Sequence, residues 1–173
     1  MEKNKFIFRF GSAFIDQVSI ALCAILVNVP GLFLEIHKDV PSTPGEYQSF
    51  VVYQIIVLYT IIVNKDIYLG RSLGKRITSL QVISNKTGTL ANPIQCVIRN
   101  LFLFFWPLEV LILFFSPERR FGDIVAGTKV VEFIPNYIES PKINLIQTLA
   151  AILLAGIFSY FLFTYISSLG IFD

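Results

Sequence analysis

Apolar and polar positions fall in long blocks along this chain. Four stretches are apolar and nearly uncharged, at about 10–34, 47–63, 97–115 and 143–169. A hydrocarbon core roughly 30 Å thick takes about 20 helical residues to cross. The first and last blocks are long enough, the second is short but adequate, and the third is marginal and interrupted by Trp106-Pro107. Pro107 suits the first position of a new helix, and Glu109 would sit in its first turn at the positive end of the dipole. The third block therefore reads as two short helices joined at Trp106. The polar stretches on either side of it hold two runs rich in β-branched residues, 77–84 (ITSLQVIS) and 128–133 (TKVVEF). Neither strand could stand alone, and the two could pair only on one side of a membrane. The expected fold is an all-α membrane protein with three transmembrane helices and a re-entrant helical hairpin, or a fourth span in its place. It carries a small two-stranded cytoplasmic β element.

Charge distribution favours the hairpin over a fourth span. Cytoplasmic loops of membrane proteins are rich in Lys and Arg. Lys3, Lys5 and Arg9 put the N-terminus inside, and the loop with Glu35, Lys38, Asp39 and Glu46 suits the outside. The six cations from Lys65 to Arg99 belong inside again. If the third block crosses, Arg119, Arg120, Lys129 and Lys142 are left outside; if it returns, every one of the fourteen cations except Lys38 is inside. Composition agrees with the membrane class, at 173 residues with 54% hydrophobic side chains and a net charge of only +2, which excludes an electrostatic nucleic-acid binder. Cys23 and Cys96 lie far apart, neither a disulfide framework nor a metal site.

Candidate chemistry sits among the charges placed in or beside apolar blocks, where an ionisable group costs about 2.5–3.5 kcal/mol on insertion scales and marks a site. Arg9 and Asp16 are seven residues apart and share a helical face. They read either as an ion or proton site on Asp16 tuned by Arg9, or as a structural latch in which Arg9 snorkels and Asp16 fixes a neighbouring helix. Arg99 stands at the mouth of the third block, within reach of Asp16 or Asp123. GRSLGKR (70–76) departs from a phosphate loop, having three residues between its glycines and Arg after its Lys. It reads instead as a turn presenting Arg71, Lys75 and Arg76 to anionic headgroups, with Arg119 and Arg120 in the same lipid-facing patch. Lys75 or Arg76 could alternatively pair with Asp123. Gln54 and Glu109 are candidate cavity-lining residues. Ala151, Ala155 and Ser159 form a small-residue stripe for packing on the first span or a second copy. His37 stands alone, and no hydrolase, metalloenzyme or dinucleotide motif is present, so an enzyme, a cofactor and a bound metal are not expected.

Taken together, RFGSAFIDQ, GRSLGKRITSLQVIS, NKTGTL, VIRN and RRFGDIVAGTKVV resemble the RDD family of small integral membrane proteins. The resemblance covers 6–132, with the apolar helix at 143–169 as an addition packed on the same domain. It places the family's Arg and two Asp on Arg9, Asp16 and Asp123, and it finds Gly122 where many members carry His. It implies a multi-pass protein of a cell membrane, by the family's usual setting the bacterial plasma (inner) membrane. Two functions follow as expectations. One is an oligomeric transporter or exchanger of ions or small solutes that uses an intramembrane carboxylate, with Arg9, Asp16, Arg99 and Asp123 as the site. The other is a non-catalytic membrane adaptor or assembly factor, with the same residues as latches. Expected partners are membrane lipids and a second copy or another membrane protein.

Overall fold

The computed structural model describes residues 3–38, 43–105, 112, 119–134 and 144–169. Among these, three helices are long and apolar enough to cross a membrane. They are α1 (Lys3–Ile36), α2 (Pro44–Asn64) and α6 (Leu145–Ser168). Between α2 and α6 the chain builds a compact polar end from α3 (Leu73–Ile77), β1 (Leu80–Ser84), α4 (Pro93–Leu101), a 3-10 turn (Phe102–Phe105), α5 (Phe121–Ala126) and β2 (Thr128–Glu132).

Local sequence sets most of these boundaries. α2 starts in a capping box, with the Glu46 N–H given to Thr43 Oγ1 and the Thr43 N–H given to Glu46 Oε2, and Pro44 occupies the first turn. α4 repeats the device with Asn92, Pro93 and Gln95. α5 ends at Gly127 in the left-handed region, which releases the chain directly into β2. β1 begins later than the β-branched run suggests, because residues 73–77 form α3 under the Ser72 cap and Ser79 turns the chain at φ +53°.

β1 and β2 are antiparallel, in register from Leu80 opposite Glu132 to Ser84 opposite Thr128. α4 and α5 lie side by side. The polar flanks of the third apolar block therefore meet at one end of the molecule, as a returning segment requires. Its Trp106-Pro107 junction lies outside the described residues.

The apolar core joins α2, α4 and α6 through Val52, Tyr59, Val63, Val97, Ala151, Ala155 and Phe163. The small stripe on α6 is fully buried and packs against α2 and α4, rather than serving as a seam to the first span. Small side chains let helix backbones approach closely, and Phe163 then meets Tyr59 edge-to-face at 5.4 Å between ring centroids.

α1 behaves differently. Its residues at i, i+3 and i+7 spacing, Arg9, Ser12 and Asp16, are buried, while Ile7, Phe14, Val18, Leu22, Ile25 and Phe33 on the opposite stripe are exposed. The chief packing of α1 is on α3. Two glycines make such contacts possible. A Cβ at Gly74 would lie 2.1 Å from the Ser12 carbonyl oxygen of α1, and one at Gly122 would lie 2.0 Å from the Arg99 carbonyl oxygen of α4. The second value explains why this chain has no side chain at 122.

Gly74→Ala and Gly122→Ala are each expected to cost about 1–3 kcal/mol, the range for overpacking. Gly156→Ala, where nothing lies within 4 Å, provides the comparison. Thermal unfolding in detergent that shows all three variants alike would contradict the assigned contacts.

Candidate functional site

The site grows out of the turn that follows α2. Leu69 and Gly70 both take positive φ, +56° and +61°, and reverse the chain. Within the same turn Asp66 accepts the Ser72 N–H at 3.0 Å. Ser72 then caps α3, accepting the Lys75 N–H, and its hydroxyl donates to Asp16 Oδ2 at 2.8 Å. Because Gly74 has no side chain, its N–H also reaches Asp16, at 2.8 Å to Oδ1. α1 is thus fastened to the turn through one carboxylate.

Three buried carboxylates follow from this arrangement. Asp16 lies 3.1 Å from Lys65 Nζ and 3.8 Å from Lys75 Nζ. Asp66 is completely buried; it accepts from Lys75 Nζ at 2.7 Å and from Asn100 Nδ2 at 3.2 Å, and Arg99 Nη1 stands 3.9 Å away. Asn100 also donates to the Val63 carbonyl at 3.1 Å, which satisfies an acceptor at the end of α2. Asp123 meets Arg99 Nη2 at 3.0 Å and Arg9 Nη2 at 3.6 Å. It accepts further from Thr128 Oγ1 at 3.1 Å and from the Arg120 N–H at 3.2 Å. Arg99 therefore bridges Asp66 and Asp123, and one chain of ion pairs runs from Arg9 through Asp123, Arg99, Asp66 and Lys75 to Asp16.

Electrostatics keeps Asp66 and Asp123 charged against the pull of burial. Burial opposes the ionised form of Asp66, but the charges of Lys75, Arg99 and Lys65 outweigh it and hold the carboxyl well below the usual range. Asp123 is likewise held low, with Arg99, Arg120 and Arg9 and the Arg120 N–H bond overcoming burial. Burial pulls the Lys75 ammonium down to about 8, helped by Arg99 and Lys65 and resisted by Asp66 and Asp16.

Arg9, Asp16, Arg99 and Asp123 are all gathered at this end of the molecule. Arg9 and Asp16 share a face as their spacing requires, but they engage different ends of the network. Of the two reaches open to Arg99, the structure gives Asp123. Lys75 needs correction: it is 2% exposed and paired with Asp66 and Asp16, so it belongs neither to a lipid-facing patch nor to Asp123. The turn that was to present it instead folds inward under Asp66. Arg76 is exposed over Tyr68, Arg71 is half-buried over the Phe133 ring at 3.9 Å, and Arg119 is exposed and donates to Asn85. Arg120 is half-buried beside Asp123. Gln54 is half-buried opposite Gly31 at the contact of α1 with α2, and Glu109 lies outside the described residues. An open cleft of about 270 Å³ reaches the network at Lys65 from between α1, α2 and the 3-10 turn. Among the described residues no His, Cys, Asp and Glu group could hold a metal ion.

Sequence reasoning missed Asp66, Lys65, Ser72, Asn100 and Thr128. One signal was available for Asp66, which is the sole acid in the stretch from Lys65 to Arg99 that carries six cations.

Membrane-length helices joined at a buried charged end define a multi-pass integral membrane protein. The particular assignment follows from the whole chain: the model of the RDD family matches residues 5–169, and the protein belongs to that family. The match runs through α6. Curated proteins and solved structures gave no match.

Asp123→Asn would leave Arg99 and Arg9 facing a neutral group, at an expected cost of about 3 kcal/mol. Because the folded protein binds these protons more weakly than the unfolded chain, the stability that Asp66 and Asp123 confer is complete above pH ~4 and is lost as pH falls below it. Thermal unfolding between pH 7 and pH 3 should fall less steeply for Asp123→Asn than for the parent. Parallel curves would contradict the ion-pair assignment.

Proposed function

We propose that the protein exchanges a monovalent cation against protons across its membrane, with Lys75 as the exchanging group. The observation that carries the reading is the setting of the Lys75 ammonium. It is buried among Asp66 Oδ1 at 2.7 Å, Ser72 Oγ at 3.2 Å and Asp16 Oδ2 at 3.8 Å, a set of hard oxygen donors that includes two carboxylates. Lys75 is a tethered cation in a cation-binding cage.

The cycle needs only one proton and one ion. Protonated Lys75 fills the cage. When it loses its proton, the cage loses one positive charge, and an inorganic cation entering beside the amine replaces that charge; reprotonation expels the ion. Lys65 and Arg99, the other charges facing the cage, limit it to a single positive charge. A Lys lowered to about 8 by burial is suited to this step, since both protonation states are accessible near neutral pH. The positive-inside rule supports a cytoplasmic charged end and N-terminus, and the family's usual setting supports a bacterial plasma membrane. Three long helices enclose little volume, so a homo-oligomer supplies the rest of the pathway.

A second reading has its own support. The broad exposed apolar stripe of α1 suits a membrane adaptor that docks another membrane protein, with the ion pairs acting as latches alone.

Liposomes containing the folded protein separate the two. An exchanger collapses a pH gradient when Na⁺ or K⁺ is added, with flux rising as pH approaches about 8 and the cage empties. Lys75→Met and Asp16→Asn, checked for folding, should lower that flux at least about tenfold. A folded parent that gives no response to Li⁺, Na⁺ or K⁺ would sink the exchanger and leave the adaptor.

A further inference from the structure

We infer that the cleft between α1, α2 and the 3-10 turn holds one anionic phospholipid, its phosphate on Lys65 and Gln17 and an acyl chain along Ile20, Ile62, Leu103 and Phe104. The site is independent of whether Lys75 exchanges ions.

The two ends of the cleft have different chemistry, and they are ordered as in a lipid. Its apolar walls come from the spanning helices α1 and α2 and from the Phe-rich turn after α4. Its polar end is Lys65, the first residue after α2, where the apolar helix gives way to the polar end of the molecule. That is the level of headgroups, and a chain leaving a headgroup there runs into the hydrocarbon along the walls. Gln17, one residue beyond Asp16, adds an amide donor at the same end.

Charge selects the headgroup. Among the described residues Lys65 is the one cation that lines the cleft, and its side chain remains partly exposed at 15%. Its carboxylate partner is Asp16 at 3.1 Å, but Asp16 already accepts from the Ser72 hydroxyl and the Gly74 N–H, with the Lys75 ammonium also close by. Two ammonium groups thus share this carboxylate, and a phosphate diester at Lys65 supplies the missing negative charge. A zwitterionic lipid brings its own cation to the same place and gains less. Free inorganic phosphate lacks the apolar chain for which the rest of the cleft is shaped. A second copy of the protein would have to present an acidic side chain behind an apolar helix.

The test is native mass spectrometry of the full-length protein released from detergent, titrated with phosphatidylglycerol, phosphatidylcholine or inorganic phosphate. Phosphatidylglycerol should be retained over phosphatidylcholine by about fivefold, the ratio one headgroup-facing cation supplies, and inorganic phosphate should not displace it. Lys65→Gln should abolish the preference. Ile62→Trp, which fills the cleft without touching an ion pair, should reduce retention of both lipids and so keeps the test valid if Lys65→Gln fails to fold. Lys86→Gln, exposed and not part of the cleft lining, should leave the preference unchanged. Equal retention of the two lipids would overturn the inference. So would lipid retention undiminished in Ile62→Trp, a preference lost in Lys86→Gln instead, or a protein–protein dimer that excludes lipid.

Discussion

Burial of three carboxylates at the edge of a membrane domain is the constraint on which the rest of this structure depends. An uncompensated buried ion costs several kcal/mol, and a buried pair survives only when its geometry is good and its remaining lone pairs are satisfied. Asp16, Asp66 and Asp123 meet that demand with cations drawn from α1, the turn after α2, α3 and α4. Neutral donors complete each shell: Ser72 and Gly74 for Asp16, Asn100 for Asp66, Thr128 for Asp123. No single element can supply these partners. The polar end must therefore assemble as a unit, and the short helices and the two-stranded sheet are the frame that brings the donors together.

This constraint also explains the unequal packing of the spanning helices. α2 and α6 share an apolar core with α4, whereas α1 buries chiefly its polar stripe and leaves an apolar stripe to the surroundings. In water such a stripe would aggregate; in lipid it costs nothing. Lipid does not drive helices together, so polar contacts and close backbone approach must hold α1 in place. Asp16 on the Gly74 N–H and Arg9 on Asp123 provide the former, and the missing side chain at Gly74 the latter.

Periodicity and charge sufficed for the large features. Membrane-length helices, the pairing of 80–84 with 128–132 and the gathering of Arg9, Asp16, Arg99 and Asp123 at one end all leave marks in the sequence. A long apolar block can do little but span, and β-branched runs beside it can do little but pair. Two features were illegible for physical reasons. Lys75 has the neighbours of a surface cation, Arg71 and Arg76, and only the fold of the turn from Asp66 to Ser72 directs it inward. Asp66 sits beside Lys65, so the pair cancels in any charge count, yet its true partners lie nine and more residues away. Glycine roles were half legible: Gly70 supplies the positive φ of a turn, but the contact that excludes a side chain at Gly74 is made with Ser12, on a helix about sixty residues earlier.

The central claim is that Asp66 and Lys75 are a mutually dependent buried pair at the middle of this network. A double-mutant cycle of Asp66→Asn and Lys75→Met, read by thermal unfolding of the detergent-solubilised protein, tests it most directly. Each single variant strands the other partner, so the double variant should lose less than the two singles together, by about 1–3 kcal/mol. Additivity within about 0.5 kcal/mol would mean that the two residues do not depend on each other and would contradict the account.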